Sequence, residues 1–124
     1  MISKIIGIIG SRERNEQDDF NTVYDMFTKH YNDGDSICSG LCPQGGDRFA
    51  VIIADRLGLQ EDKKIWYPAD WPKYGRIAGY IRNTDIAKTS DILIACVASD
   101  RKGGTEDTIK KYIKFHGKGW LLIV

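Results

Sequence analysis

Two runs, Ile5-Ile6-Gly7-Ile8-Ile9 and Ile92-Leu93-Ile94-Ala95-Cys96-Val97, are apolar almost throughout and lack the alternation of a half-solvated strand. Strands this short and this uniformly apolar are covered on both faces, the condition of a parallel sheet that carries helices on each side. The segments between them fit that plan. Phe20, Val23, Tyr24, Phe27 and Tyr31 recur at three and four residues, a helical stripe with Asn15 or Asp18 as its expected cap and Asp33-Gly34 as its end. Ser36-Ile37-Cys38 reads as a second strand. A second helix is expected with Phe49, Ile52, Ile53 and Leu57 on its inner face and Gly58 as its stop. Lys64-Ile65-Trp66-Tyr67 reads as a third strand, ended by Pro68 and Pro72. Ile77, Ala78, Ile81 and Ala87 suggest a third helix, weakened by Gly79. Gly103-Gly104-Thr105 opens a fourth helix through Ile109, Tyr112 and Ile113, ended by Gly117, and residues 120–124 form a fifth strand. The order β-α-β-α-β-α-β-α-β predicts an α/β fold: a Rossmann-like, open, mainly parallel five-stranded sheet with helices on both faces. No repeat or linker interrupts it, so residues 1–124 are expected to form one domain.

The chain has 124 residues, enough to bury roughly two-thirds of its unfolded surface without staples. Eighteen basic residues against seventeen acidic ones leave a net charge of +1, which argues against the basic footprint of a duplex-DNA binder. A local cationic site for a small anion is compatible with that balance. The N-terminal apolar run is shorter than a signal-peptide core or a membrane span, so no membrane association and a cytoplasmic location are expected. Three cysteines, an odd number, do not make a disulfide framework. Cys38, Cys42 and Cys96 all map near the carboxyl edge of the sheet, but Cys38 and Cys42 have no matching second pair and neither histidine has ligand spacing. No metal is expected; Cys38 and Cys96 read as small buried hydrophobes. His30 and His116 fall at helix ends, where a cation suits the dipole.

In an open parallel sheet, ligands bind beyond the carboxyl ends of the strands. Three glycine-rich stretches map to that edge. They are Gly10-Ser11-Arg12, then Ser39-Gly40 with Gly45-Gly46-Asp47-Arg48, and Gly103-Gly104-Thr105-Glu106. Two lead directly into helices, whose unpaired N–H groups and positive dipole end favour phosphate or carboxylate. Arg12 suits a forked pair with a phosphate, and Thr105 is placed to cap its helix and to bond a ligand oxygen. The pattern is neither a P-loop nor the dinucleotide GxGxxG fingerprint. Asp47 and Glu106 each fall in a first helical turn, where an acid complements the dipole; the sharper reading makes them the carboxylates of a glycosidic cleavage. Trp71 and Tyr74 are base-stacking platforms or loop anchors, with nothing local to choose between the two. Arg82 and Asn83 are candidates for holding a phosphate or leaving group and a ribose or base, against an ion pair and a turn.

Taken together, GSR, SGLCPQGGDRFA, PADWPKYGRIAGYIRN and GGTEDT resemble, in this order, the SLOG superfamily, and most nearly its small single-domain YspA/YpsA-like branch; the likeness runs over essentially the whole chain. More distant relatives are the LOG-type cytokinin-activating phosphoribohydrolases, the DprA/Smf recombination mediators and molybdenum-cofactor carrier proteins. The resemblance implies a Rossmann-like fold that binds nucleotides or nucleotide-derived molecules, often as an oligomer. It implies a phosphate-binding role for Gly45, Gly46, Gly103, Gly104 and Thr105, and places Arg82-Asn83 in a family-like segment. The hydrolases carry a motif resembling PGGxGTxxE, whereas Arg101-Lys102-Gly103-Gly104-Thr105-Glu106-Asp107 lacks the glycine between GG and Thr. The expectation is therefore a binder that senses, carries or sequesters a nucleotide-type ligand, needs no cofactor, and forms a homo-oligomer. The alternative is a phosphoribohydrolase or a deoxyribosyltransferase-like enzyme that cleaves an N-glycosidic bond through Glu106 and Asp47.

Overall fold

A computed structural model of the chain describes residues 2–124. The elements run β1 (Ile5–Gly10), α1 (Gln17–His30), β2 (Ser36–Ser39), α2 (Gly46–Leu57), β3 (Lys64–Trp66), α3 (Trp71–Tyr74), α4 (Ala78–Thr89), β4 (Ile92–Cys96), α5 (Gly104–His116) and β5 (Leu121–Ile123). The strand order is β3-β2-β1-β4-β5, and every neighbouring pair is parallel. The expected α/β sheet is thus present and is parallel throughout. β1 and β4 lie at its centre, which is why their sequences are apolar on both faces.

The two faces are covered by different helices. Phe20, Val23 and Phe27 of α1 and Phe49 and Ile53 of α2 pack on Ile6, Ile8, Ile37 and Ile94. On the other face, Ile86 and Ala87 of α4 and Ile109 and Tyr112 of α5 pack on Ile9, Cys38, Leu93 and Ala95. Period-2 alternation within each buried strand therefore divides one apolar run between two cores.

Several local expectations are corrected. The cap of α1 is Glu16, whose N–H donates to Asp19 Oδ2 at 3.1 Å; Asp18 lies inside the first turn. Asn15 instead turns its side chain to α2. α1 also ends earlier than expected, and Tyr31, just beyond it, stacks on Phe27 with 5.1 Å between ring centroids. Leu57 is 38% exposed, and Ala50 and Ala54 complete the inner face of α2. Ile77 is 56% exposed and precedes α4, so the buried stripe of that helix is Ala78, Asn83, Ile86 and Ala87. Gly79 is tolerated within α4, where the Trp71 ring lies over it; a Cβ there would sit 3.5 Å from Trp71 Cη2. The single turn α3 had no apolar period to announce it. It is held by Asp70 Oδ1, which accepts from the Lys73 N–H at 3.2 Å, and by Pro72 in its first turn. The cap of α5 is Gly103, with φ +104°, rather than Thr105, which lies in the first turn. Among the described residues no helix is long and apolar enough to cross a membrane.

Candidate functional site

The chain leaves β1 toward β2 and β3, and leaves β4 toward β5, so the strand order reverses between β1 and β4. That reversal opens a crevice beyond their carboxyl ends. A cavity of about 330 Å³ lies there, walled by Ser11 and Arg12 after β1, Asp47 of α2, Asn83 of α4 and the start of α5. A second cavity of about 660 Å³ adjoins it, bounded by Trp71, Arg76 and Tyr80 on one side and Glu106, Asp107 and Lys110 on the other. Arg12, Arg82, Asn83, Lys102, Gly103 and Gly104 border both cavities. The two together form one cleft.

The side chains on the common wall are held from behind. Arg82 donates through Nη1 to the Gly40 carbonyl at 3.1 Å and through Nε to Asn83 Oδ1 at 3.1 Å, and Nη1 lies 3.9 Å from Asp47. A Cβ on Gly40 would meet Arg82 Nη1 at 2.6 Å, so a glycine there lets the guanidinium lie against the backbone. Asn83 donates through Nδ2 to the Gly104 carbonyl at 3.3 Å and to Asp107 Oδ2 at 3.1 Å, which ties the first turn of α5 to α4. Asp47 accepts from Ser39 Oγ at 2.7 Å and from the Cys42 N–H at 3.0 Å, which fixes the loop between β2 and α2. Glu106 is engaged as well, in a two-pronged pair with Arg101 at 2.8 and 2.9 Å. Arg101 itself has a left-handed φ of +54°.

The glycine pairs, alike in sequence, have different surroundings. At α5 the space is open: nothing lies within 4 Å of a Cβ on Gly103, and only Asn83 Nδ2, at 3.9 Å, comes near one on Gly104. The first N–H groups of a helix have no partner within it, so this end of α5 presents donors to the cleft. At α2 the space is closed. A Cβ on Gly45 would lie 2.5 Å from the Ser11 carbonyl oxygen, and one on Gly46 would collide with Ile9 and Gly10. The Gly45 N–H already donates to Asn15 Oδ1 at 2.8 Å. Arg48 is clamped on Asn15 too, through Nε to Oδ1 at 2.8 Å and Nη2 to the carbonyl at 3.0 Å. Of the expected site residues, Gly10, Ser11, Arg12, Asp47, Trp71, Arg82, Asn83, Gly103, Gly104, Thr105 and Glu106 line the cleft. Ser39 and Gly40 hold Asp47 and Arg82 from behind, while Gly45, Gly46 and Arg48 do not line it and pack on the end of β1 and on Asn15.

Arg76, Tyr80, Lys102 and Lys110 also line the cleft without having been singled out in the sequence. Lys102 adjoins the glycine pair, and Arg76 and Tyr80 lie inside the PADWPKYGRIAGYIRN segment, so a signal existed for those three. Lys110 joins them only because α5 packs on α4. Arg12, Arg76, Lys102 and Lys110 make no ion pair among the described residues.

Cys38 and Cys96 are fully buried, and burial pushes the Cys38 thiol up to about 12 and the Cys96 thiol above its usual range. Cys42 is half-buried in the cleft wall. Among the described residues no group of three His, Cys, Asp or Glu side chains is placed to hold a metal ion. Comparison of the chain with family models, with curated proteins and with solved structures gave no match in any of the three.

Proposed function

We propose that the chain binds a nucleotide or nucleotide-derived small molecule in the cleft at the β1/β4 reversal, as a SLOG-type domain that senses, carries or sequesters it. One observation carries the reading. The open start of α5 and the guanidinium or ammonium groups of Arg12, Arg82 and Lys102 border the same space, in a chain whose overall charge is only +1. Helix-end donors and cations gathered at one point suit a phosphate, whose oxygens accept from both. The cavity volumes fall in the range of small-molecule sites. Asp47 and Glu106, the carboxylates that a glycosidic cleavage would use, are each occupied by internal partners, which favours binding over cleavage. Self-association and a cytoplasmic location belong to the same proposal; exposed Phe115, Trp120 and Ile123 offer apolar contacts for the first, and three free thiols suit the second.

Calorimetry with AMP and other nucleoside monophosphates, paired with chromatographic detection of released base, tests this reading. The expected result is saturable binding without base release, abolished in Gly104→Trp, which fills the open mouth of the cleft. Unchanged affinity in Gly104→Trp would overturn the placement of the site. Base release that disappears in Glu106→Gln would replace the binding reading with cleavage.

A further inference from the structure

The two arms of the cleft differ in chemistry and meet at one cationic wall. The inner arm, about 330 Å³, carries the carboxylates Asp47 and Glu13. Asp47 accepts one bond at each oxygen, from Ser39 Oγ and the Cys42 N–H, and a carboxylate offers about four acceptor sites. Away from the wall, where Asp47 meets Arg82 at 3.9 Å, such a lining suits hydroxyl donors better than a second phosphate. The outer arm, about 660 Å³, carries Trp71 and Tyr80, which are 52% and 58% exposed, beside Arg76 and Lys110, cations without an ion pair among the described residues. Its two acids are neutralised locally, Glu106 by Arg101 and Asp107 by Lys111 at 2.8 Å. Aromatic faces beside surplus cations suit a stacked base. Between the arms stand Arg12, Arg82, Lys102 and the start of α5.

A phosphoryl group at that wall with organic substituents running both ways has to be a bridge, since a phosphomonoester has one substituent and fills one arm. Arg82 shares its charge with Asp47 at 3.9 Å, but Arg12 and Lys102, which make no ion pair among the described residues, together with a helix end still exceed what a single bridging phosphate, with one negative charge, would neutralise. Resting on the nucleotide reading above, we propose that the ligand is a diphosphate-bridged molecule with its phosphates at the common wall. A sugar-like polyhydroxyl arm lies in the inner cavity, and an aromatic nucleoside arm lies against Trp71 in the outer one.

Calorimetry with ribose 5-phosphate, AMP and ADP-ribose tests the arms separately, on the unaltered chain and on Trp71→Ala, Trp71→Phe and Gly104→Trp. ADP-ribose is expected to bind at least about a hundredfold more tightly than either half, because joining two fragments makes the second contact intramolecular. Trp71→Ala is expected to weaken AMP and ADP-ribose by about tenfold or more while changing ribose 5-phosphate less than about twofold, and Trp71→Phe to restore most of the loss. If AMP binds and loses affinity in Gly104→Trp, but ADP-ribose binds no better than AMP, the bridge is overturned and the nucleotide site stands. An equal loss of ribose 5-phosphate in Trp71→Ala overturns the assignment of the arms. If none of the three ligands binds, both readings fall.

Discussion

A Cβ placed on Gly46 would lie 2.2 Å from the carbonyl carbon of Ile9, closer than any side chain is accommodated. The start of α2 is thereby pressed on the end of β1, and Gly45-Gly46 is a packing device. Gly104, at the equivalent point of α5, meets only Asn83 Nδ2, at 3.9 Å. Gly46→Ala is accordingly expected to lower stability by about 2 kcal/mol or more, since backbone cannot retreat as a flexible side chain does. Gly104→Ala is expected to change it by less than about 1 kcal/mol. Urea denaturation of the two variants checks the contrast, and equal losses would show that the pairs do not differ in role.

The Arg101–Glu106 pair separates binding from cleavage. Removing the Glu106 charge frees Arg101 and makes the outer arm more cationic. Glu106→Gln is expected to tighten AMP binding by about two- to fivefold, with the gain shrinking as salt rises. A loss of affinity on calorimetry would mean that Glu106 itself contacts the ligand.

Thiol reactivity reports on the cleft. The native protein is expected to react quickly with a disulfide reagent at one thiol, Cys42, because Cys38 and Cys96 are buried and burial raises both of their pKa values, that of Cys38 to about 12. All three should react once the chain is unfolded. Since Cys42 lines the inner cavity, a saturating ligand is expected to slow its reaction. Fast native labelling of a second thiol, followed by mass spectrometry, would contradict the burial.

Asp35 sets part of the acid sensitivity. Its carboxylate is 2% exposed; burial works against its charge, but the N–H groups of Lys4 and Asn32, at 2.8 and 2.9 Å, and the Lys4 ammonium at 3.0 Å together hold its pKa below the ordinary 3.8. A lowered folded-state pKa means that the stabilisation is complete above the unfolded value and disappears as pH falls through the folded one. Asp35→Asn is expected to cost about 1–3 kcal/mol at pH 7. Its deficit relative to the unaltered chain should narrow below about pH 4. Urea midpoints measured at pH 7 and pH 3 check this, and a constant deficit would exclude the ionic contribution.

Element order and the coverage of the central strands were legible in the sequence because both are local: an unbroken apolar run, a three-to-four spacing, and a glycine after a helix each depend on near neighbours in the chain. Cap identities were less legible. Asn15 is a good cap by type, but the long-range claims of the Gly45 N–H and Arg48 on its side chain outweigh the helix next to it. Likewise Ile77 fits an apolar stripe by spacing, yet the turn before α4 carries it out to solvent.

By itself, then, the sequence determined an α/β chain with a parallel sheet and glycine-rich turns at its carboxyl edge. Only the tertiary structure decided which of those turns is open. Gly45-Gly46 and Gly103-Gly104 read alike because both precede a helix, and local pattern cannot reveal what packs against a backbone from 30 or more residues away. The strand order places α2 hard on β1 and leaves the start of α5 facing the β1/β4 reversal, where Arg12, Arg82 and Lys102 arrive from three separate segments. Their convergence is a property of helix placement on the sheet, which no stretch of the chain encodes alone.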